Sequence, residues 1–205
     1  MPKVRPRSAF VAPCIPTRAL KPPAGPEWVH EIKHDGYRLQ VRRDGDVVRL
    51  FTRKGYDWSG RYPAIAVTAL KLRAQSFTLD GEACVCGPDG VAVFDALHRR
   101  GTVRDAMLYA FDLLELDGQD LRGLPLGDRK KWLVRLVGRR TLGIVLSTHT
   151  ADDGATIYRQ ACAMGLEGIV SKRLSAPYRS GRSTDWLKVK NPDSPAMIRT
   201  REAEW

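Results

Sequence analysis

Short segments in which apolar and polar residues alternate follow one another along much of this 205-residue chain. A period of two is typical of a half-buried β-strand. The pattern predicts strands over Tyr37 to Arg43 and Phe77 to Cys86, and strands are also expected over Trp28 to Lys33, Asp46 to Arg53, the apolar run Met107 to Leu116, Ile144 to Ser147, Gly168 to Arg173 and Asp185 to Lys190. Because these segments come in neighbouring runs and do not alternate strictly with helices, they favour antiparallel sheets. We therefore expect an α+β fold in which helices pack on two cooperating sheets.

Apolar residues at helical spacing predict helices between some of these strands. They are expected around Tyr62, Ile65, Ala69 and Leu72, over Arg129 to Val137, and from an N-cap at Asp152 to a stop at Gly165. A further short helix is expected before the strand that begins at Met107. The helices thus separate the runs of strands.

The ends of the chain differ from its middle. Seven of the 13 prolines lie in residues 1–27. Proline fixes φ and lacks an N–H, which excludes a continuous helix or a central strand there. We expect residues 1–27 to form an extended strap packed on a single domain of residues 28–190, followed by a short tail, 191–205.

The charge balance points to a polyanionic partner. The chain has 34 Lys and Arg against 23 Asp and Glu, a net charge of +11. Nucleic acid is the first interpretation, with Arg99-Arg100, Arg139-Arg140 and the stretch Arg179 to Arg182 as candidate phosphate contacts. A merely basic surface remains the alternative.

Several classes of protein are excluded or disfavoured by composition. With 43% hydrophobic and 28% charged residues, the chain is neither disordered nor fibrous. No apolar run is long enough to span a bilayer and no apolar signal core is visible, so we expect a cytoplasmic protein without membrane contact. The cysteines, Cys14, Cys84, Cys86 and Cys162, are too scattered for a disulfide framework or a zinc site.

The few lysines stand out because the basic residues comprise 24 arginines and only 10 lysines. Arginine stays protonated in proteins, whereas a lysine amine can act as a nucleophile. Lys33, Lys172, Lys188 and Lys190 are therefore of interest. Lys188 and Lys190 are two residues apart on a predicted strand, so both point to one face, where two ammonium groups suit a phosphate.

Six segments carry a family resemblance by their order. They are Glu31-Ile32-Lys33-His34-Asp35-Gly36-Tyr37-Arg38, Thr52-Arg53-Lys54-Gly55, Leu79-Asp80-Gly81-Glu82, Tyr109-Ala110-Phe111-Asp112, Glu167-Gly168-Ile169-Val170-Ser171-Lys172 and Trp186-Leu187-Lys188-Val189-Lys190. Together they resemble the successive motifs of the covalent nucleotidyltransferases: ATP-dependent DNA ligases, RNA ligases and mRNA-capping enzymes. The motif sequences are most similar to those of the adenylation domain of bacterial ATP-dependent DNA ligases of the end-joining type. The resemblance extends from about Phe10 to Lys190. This resemblance implies a nucleotide cleft between two antiparallel sheets flanked by helices.

The resemblance also implies roles for individual residues. Lys33 resembles the nucleophile that attacks the α-phosphorus of ATP and holds AMP as a phosphoramidate. Glu31 resembles the adenine contact, Arg38 the ribose and phosphate contact, and Arg53 a second polar clamp. Phe111 resembles the aromatic residue that stacks on adenine. On pattern alone Phe111 is a core residue, because Met107, Tyr109 and Leu113 share its face of the predicted strand.

The remaining implied roles concern phosphate and metal. Glu82 resembles the carboxylate that binds the ribose hydroxyl or a metal, and Glu167 one that helps to hold a divalent cation, Mg²⁺ or Mn²⁺. Lys188 and Lys190, in the last of the six segments, are expected to contact the nucleotide phosphate during catalysis; the alternative is that they form the polar outer face of an edge strand. Without the resemblance, Glu82 is an acid on a solvated strand face and Glu167 a loop acid.

The function implied is sealing of nicks in duplex DNA during repair, by a protein associated with the nucleoid. Two alternatives stay open: an RNA acceptor, and a non-catalytic nucleic-acid-binding relative that needs a partner domain. Ligases of this type continue into an oligonucleotide-binding-fold domain, for which residues 191–205 are too few. We therefore expect a stand-alone short relative or a second chain that supplies this function.

Overall fold

The computed structural model describes residues 10–88, 90–98, 101–138 and 142–202, and the following elements lie within them. The strands are β1 (Cys14–Arg18), β2 (Trp28–Ile32), β3 (Tyr37–Asp44), β4 (Val47–Thr52), β5 (Ser76–Cys84), β6 (Met107–Leu116), β7 (Gln119–Asp120), β8 (Ile144–Leu146), β9 (His149–Thr150), β10 (Gly168–Arg173) and β11 (Gly181–Lys190). The helices are α1 (Pro63–Lys71), α2 (Phe94–Leu97), α3 (Leu126–Val137), α4 (Gly154–Ala163) and α5 (Pro195–Glu202). None of these helices is long and apolar enough to cross a bilayer. Residues 1–9 of the expected strap, the pairs Arg99-Arg100 and Arg139-Arg140, and 203–205 of the tail lie outside the described residues.

The strands form two sheets, which confirms the predicted α+β class. One sheet has the order β1-β11-β10-β2-β9, and the other has the order β4-β3-β5-β6-β7 with β8 also paired to β6. The sheets are not wholly antiparallel as expected, because β1 runs parallel to β11 and β8 runs parallel to β6. The proline-rich strap provides β1, an edge strand, where missing N–H donors are tolerated.

The main core lies between the second sheet and helices α1 and α3. Phe77, Leu79 and Ala83 of β5 are fully buried there, as their alternation predicts. Thr78, Asp80 and Glu82 therefore point to the opposite side of the strand, toward the first sheet. One prediction at a helix end is wrong: Asp153, not Asp152, caps α4, since its carboxylate accepts hydrogen bonds from the N–H groups of Ala155 and Thr156.

A β-bulge in β6 decides where Phe111 points. The pairing with β5 passes from Asp80 opposite Asp112 to Gly81 opposite Ala110, which leaves Phe111 without a partner in the ladder. A bulge of this kind re-aims a side chain. Leu113 stays in the main core, whereas Phe111 packs with Trp186 of the first sheet. The pattern-based prediction that Phe111 and Leu113 share a face is therefore wrong.

Candidate active site

A cavity of about 920 Å³ is walled by residues of both sheets. This volume lies within the range of small-molecule sites. All nine residues with an expected role in binding or catalysis line it: Glu31, Lys33, Arg38, Arg53, Glu82, Phe111, Glu167, Lys188 and Lys190. The sequence motifs, spread over more than 150 residues, thus converge on one cavity.

Lys33 lies where β2 ends, next to the loop before β10. Its N–H donates to the carbonyl of Gly168 at 2.9 Å, and its Nζ lies 2.5 Å from Oε2 of Glu167. Lys190 Nζ lies 3.3 Å from the other oxygen of the same carboxylate. Glu167 therefore holds two lysine ammonium groups at one end of the cavity.

Positive charge accumulates at this end. Burial lowers the pKa of Lys188, and the charges of Lys33, Lys190 and Arg53 lower it further, although Glu167 opposes them. An anion placed among lysines that repel one another in this way stabilises their charged forms. This end of the cavity is therefore suited to phosphate groups.

Glu82 faces the same region from β5. Burial raises the pKa of its carboxyl to about 7, although Lys33 and Arg38 act in the opposite direction. Within the part of the chain that the structure describes, Glu82 forms no ion pair within 4.0 Å. A cation bound beside this carboxyl would favour its ionised form.

The other end of the cavity holds a buried cluster around Glu31. Lys130 Nζ donates to Glu31 Oε1 at 2.6 Å, Lys172 Nζ donates to Oε2 at 2.9 Å, and Ser147 Oγ donates to Oε2 at 3.2 Å. Burial raises the pKa of Glu31, but Lys130 and Lys172 outweigh it, so the pKa is lowered. Glu31 is therefore an ionised, oriented hydrogen-bond acceptor on the cavity wall.

Aromatic rings border the Glu31 cluster. Lys172 Nζ lies 4.1 Å from the centroid of the Phe111 ring and 4.2 Å from that of Trp186. Burial lowers the pKa of Lys172 to about 8, although Glu31 opposes this. The Phe111 ring and the hydrogen-bonding Glu31 carboxylate therefore border the same end of the cavity.

Arg38 is held on the cavity wall by Asp80. Its Nε and Nη2 donate to the two oxygens of Asp80 at 3.0 and 2.7 Å, and Nη1 donates to the Cys14 carbonyl at 2.6 Å. Tyr178 Oη also donates to Asp80, at 2.6 Å. The guanidinium is thus rigidly oriented by the strap and by β5.

The turn after Lys33 is tightly packed. A Cβ on Gly36 would lie 2.2 Å from the carbonyl oxygen of Ala83, so only glycine fits here. Asp35 forms an ion pair with Arg199 of α5. Arg199 and its neighbour Thr200 also line the cavity. His34, to which we assign no chemistry, stacks on Tyr109 with centroids 4.1 Å apart, and burial lowers its pKa to about 4.

Sequence reasoning missed several of these residues. Lys130, Ser147 and Arg199 carry no local signal, and Asp80 lies inside a quoted motif but is given no role there, because each acts through a partner far away in the chain. Trp186 lies inside a quoted motif, and Lys172 is among the lysines noted above. Neither is predicted to line the end of the cavity that holds the Glu31 cluster. Within the described residues, no cluster of three or more His, Cys, Asp or Glu is arranged to hold a metal ion.

Comparison with known proteins supports the interpretation of the motifs. Residues 12–190 match the family described as the ATP dependent DNA ligase domain. The chain is 38% identical over 189 residues to the multifunctional non-homologous end joining protein LigD of Pseudomonas aeruginosa, covering 90% of this chain and 22% of that protein. It is 37% identical over 190 residues to a probable DNA ligase of Streptomyces avermitilis, covering 85% of this chain and 37% of that protein. The chain thus spans about a fifth to two fifths of the length of these relatives.

Solved structures give the same picture. A mycobacterial DNA ligase D complexed with ATP and MES superposes with a TM-score of 0.76 at 33% identity, covering 87% of this chain and 60% of that one. A Chlorella virus DNA ligase-adenylate superposes with a TM-score of 0.62 at 17% identity, covering 89% of this chain and 69% of that one. The second likeness concerns the fold alone.

Proposed function

The chain belongs to the ATP-dependent DNA ligase domain family, and we propose from this membership that it transfers AMP from ATP to Lys33 and then to a DNA end, sealing nicks in end-joining repair. The observation that carries the proposal is the contact of Lys33 with Glu167 beside Lys188 and Lys190, at one end of a cavity of nucleotide size. Family membership favours DNA over RNA as the acceptor. It also favours a catalytic over a purely binding role.

The chemistry of the first step follows from the residues around Lys33. The amine attacks the α-phosphorus, a nitrogen–phosphorus bond forms, the bond to the β-phosphate oxygen breaks, and pyrophosphate leaves. The amine must lose a proton, for which Glu167 Oε2 at 2.5 Å is the acceptor in contact. Lys188 and Lys190 stabilise the charge on the transferring phosphoryl group.

The end of the cavity that holds Glu31 and Phe111, here called the base end, supports adenine as the ligand. Glu31, ionised and held by two lysines, accepts a hydrogen bond from the exocyclic amino group. Phe111 provides a ring face for stacking. Arg38 contacts the ribose and phosphate, with Arg53 as a second polar clamp.

The residues present fit a divalent cation, Mg²⁺ or Mn²⁺. Glu82 and Glu167 both line the cavity, and the pKa of the half-buried Glu82 carboxyl is raised, a shift that a nearby cation would oppose. Two carboxylates with substrate phosphates and water form a usual Mg²⁺ environment. When bound, the cation neutralises charge on the phosphates.

Other parts of the reaction require more than these residues. The net charge of +11 supports a DNA partner. Because the P. aeruginosa relative is named multifunctional and is much longer, we propose that other domains or a second chain complete the DNA-binding function. A DNA acceptor also implies work in the cytoplasm, at the nucleoid.

Intact-mass measurement tests the proposal. We expect incubation with ATP and Mg²⁺ to add one AMP to the chain, and Lys33→Arg to abolish the adduct while the protein stays folded. Transfer of the AMP to nicked DNA, compared with nicked RNA of the same sequence, identifies the acceptor. An adduct that persists in Lys33→Arg would contradict the assignment of the nucleophile.

A further inference from the structure

Lys130 stands behind the wall of the cavity and touches two residues of its base end. Its Nζ donates to Glu31 Oε1 at 2.6 Å and to the carbonyl of Phe111 at 3.3 Å. Glu31 and Phe111 line the cavity, whereas Lys130 does not. A single buried ammonium group therefore connects the Glu31 carboxylate with the backbone of Phe111.

The pairing of Lys130 with Glu31 is built by tertiary structure and is well shielded. Lys130 lies on α3, 99 residues from Glu31 in sequence. The side chains of Lys130 and Glu31 are 5% and 3% exposed. Burial of a lysine is costly unless it is paired, and this pair adds a charge-assisted hydrogen bond, which is stronger than a neutral one.

Lys130 is not needed simply to neutralise Glu31. Lys172 already provides one positive charge at 2.9 Å from Oε2, so Glu31 keeps an ion pair when Lys130 is absent. In the intact cluster each oxygen of the Glu31 carboxylate has its own donors: Lys130 at Oε1, and Lys172 with Ser147 at Oε2. Removing Lys130 releases one oxygen, so the carboxylate can rotate.

We propose that Lys130 is the positioning residue that makes this cavity select a 6-aminopurine over a 6-oxopurine. A carboxylate only accepts hydrogen bonds, so a fixed Glu31 pairs with an amino group and opposes a carbonyl oxygen. Lys130 fixes this acceptor and, through the Phe111 carbonyl, the bulge that presents the stacking ring. The lowered pKa of Glu31, to which Lys130 contributes, keeps the carboxylate ionised. The inference rests on the proposed function for its ligand and deepens it to base selection by a residue outside the cavity wall.

Equilibrium binding of AMP and GMP, measured by calorimetry without any chemical step, tests the inference. The variant is Lys130→Met, and the matched control is Lys131→Met, the neighbouring residue on α3, whose side chain is 71% exposed and pairs with Asp128. We expect the wild type and Lys131→Met to prefer AMP. In Lys130→Met the preference falls about tenfold to a hundredfold, as removal of one oriented, charge-assisted hydrogen bond requires.

Two further measurements separate positioning from a structural role. Purine riboside monophosphate lacks the 6-amino group, so Lys130→Met should weaken AMP binding much more than binding of this analogue. Lys130→Gln keeps an N–H donor and should restore part of the preference for AMP over GMP. This variant also replaces Lys130→Met in the test if Lys130→Met does not fold. Equal weakening for AMP and the analogue, or an unchanged preference in a folded variant, would overturn the inference. A wild type that binds AMP selectively but is not labelled by ATP would contradict the proposed function and leave this inference standing.

Discussion

Lys33 Nζ and Glu167 Oε2 lie 2.5 Å apart, and Lys190 holds the other oxygen of that carboxylate at 3.3 Å. The candidate nucleophile is thus paired with an acid that is only 6% exposed. An ammonium in an ion pair is not nucleophilic, so the pair must give up a proton before Lys33 can react. Glu167 restrains Lys33 by this contact, and under the proposed function its carboxylate is the acceptor nearest to that proton.

We therefore expect Glu167→Gln to slow labelling by ATP by on the order of 10²-fold, because the amide cannot accept the proton. Single-turnover labelling measures this rate. Asp193→Asn, an exposed acid before α5, is the matched control and should leave the rate unchanged. A rate that is unchanged or faster in Glu167→Gln would mean that Glu167 only restrains Lys33.

The raised pKa of Glu82 predicts a dependence of stability on pH. Burial raises this pKa from 4.5 in the unfolded chain to about 7, so between these values the folded state binds more protons than the unfolded state. The contribution of Glu82 to the free energy of unfolding is therefore fully present below pH 4.5 and is lost as the pH rises through about 7, by up to about 3 kcal/mol.

Urea unfolding from pH 5 to 8 without divalent cations, on the wild type and Glu82→Gln, checks this. The variant should gain stability relative to the wild type as the pH rises. A constant difference across this range would contradict the raised pKa.

The ion pair of Arg129 with Asp112 predicts a large stability effect. Both side chains are 0% exposed, and Arg129 also donates to the carbonyls of Leu124 and Ala176. Arg129→Met leaves Asp112 buried without its partner and should cost about 3 to 5 kcal/mol of unfolding free energy. Arg122→Met breaks a similar but half-exposed pair with Asp120 and should cost less than about 1 kcal/mol. Equal destabilisation in urea unfolding would contradict this distinction.

The packing of Gly36 predicts a local effect on Lys33, the candidate nucleophile. In Gly36→Ala the new Cβ meets the backbone of Ala83, so the turn that carries Lys33 must shift. We expect labelling by ATP to fall about 10²-fold, as misplacement by about 1 Å can cause. Gly60→Ala, where nothing lies within 4 Å of the added Cβ, should label at the wild-type rate. Normal labelling by Gly36→Ala would show that the turn tolerates the shift.

The charge of the chain predicts salt-dependent DNA binding. Affinity for nicked duplex DNA should fall at least tenfold between about 50 and 200 mM salt, through release of counterions. Arg179 and Arg182 are exposed on either side of the start of β11. Replacing both by alanine should reduce the salt slope by about one for each arginine that binds a phosphate, whereas replacing Arg73, exposed in the loop after α1, should leave it unchanged. An unaltered slope in the double variant would remove these two arginines from the interface.

Much of the site could be predicted from the sequence because strand-forming runs and short motifs are patterns of neighbouring residues. The bounds of β6 and β10 agree with those predicted, since a short apolar run and the turn residues that end it are properties of neighbouring residues. Lys188 and Lys190 face one side because side chains alternate along a strand, and both line the cavity. The order of short motifs was sufficient to place the chain in its family, which the comparisons confirm.

Tertiary structure alone decided how these local pieces meet. The bulge that turns Phe111 away from Leu113 depends on the register of β6 against β5, and a one-residue offset carries no local signature. The contacts of Lys130 with Glu31, Arg38 with Asp80 and Arg199 with Asp35 join residues 99, 42 and 164 positions apart. Burial then sets the pKa of Glu82 and of Lys172, because desolvation depends on every element that packs around a group. The sequence alone determined which side chains the chemistry has available, and packing determined which are held, charged and in contact.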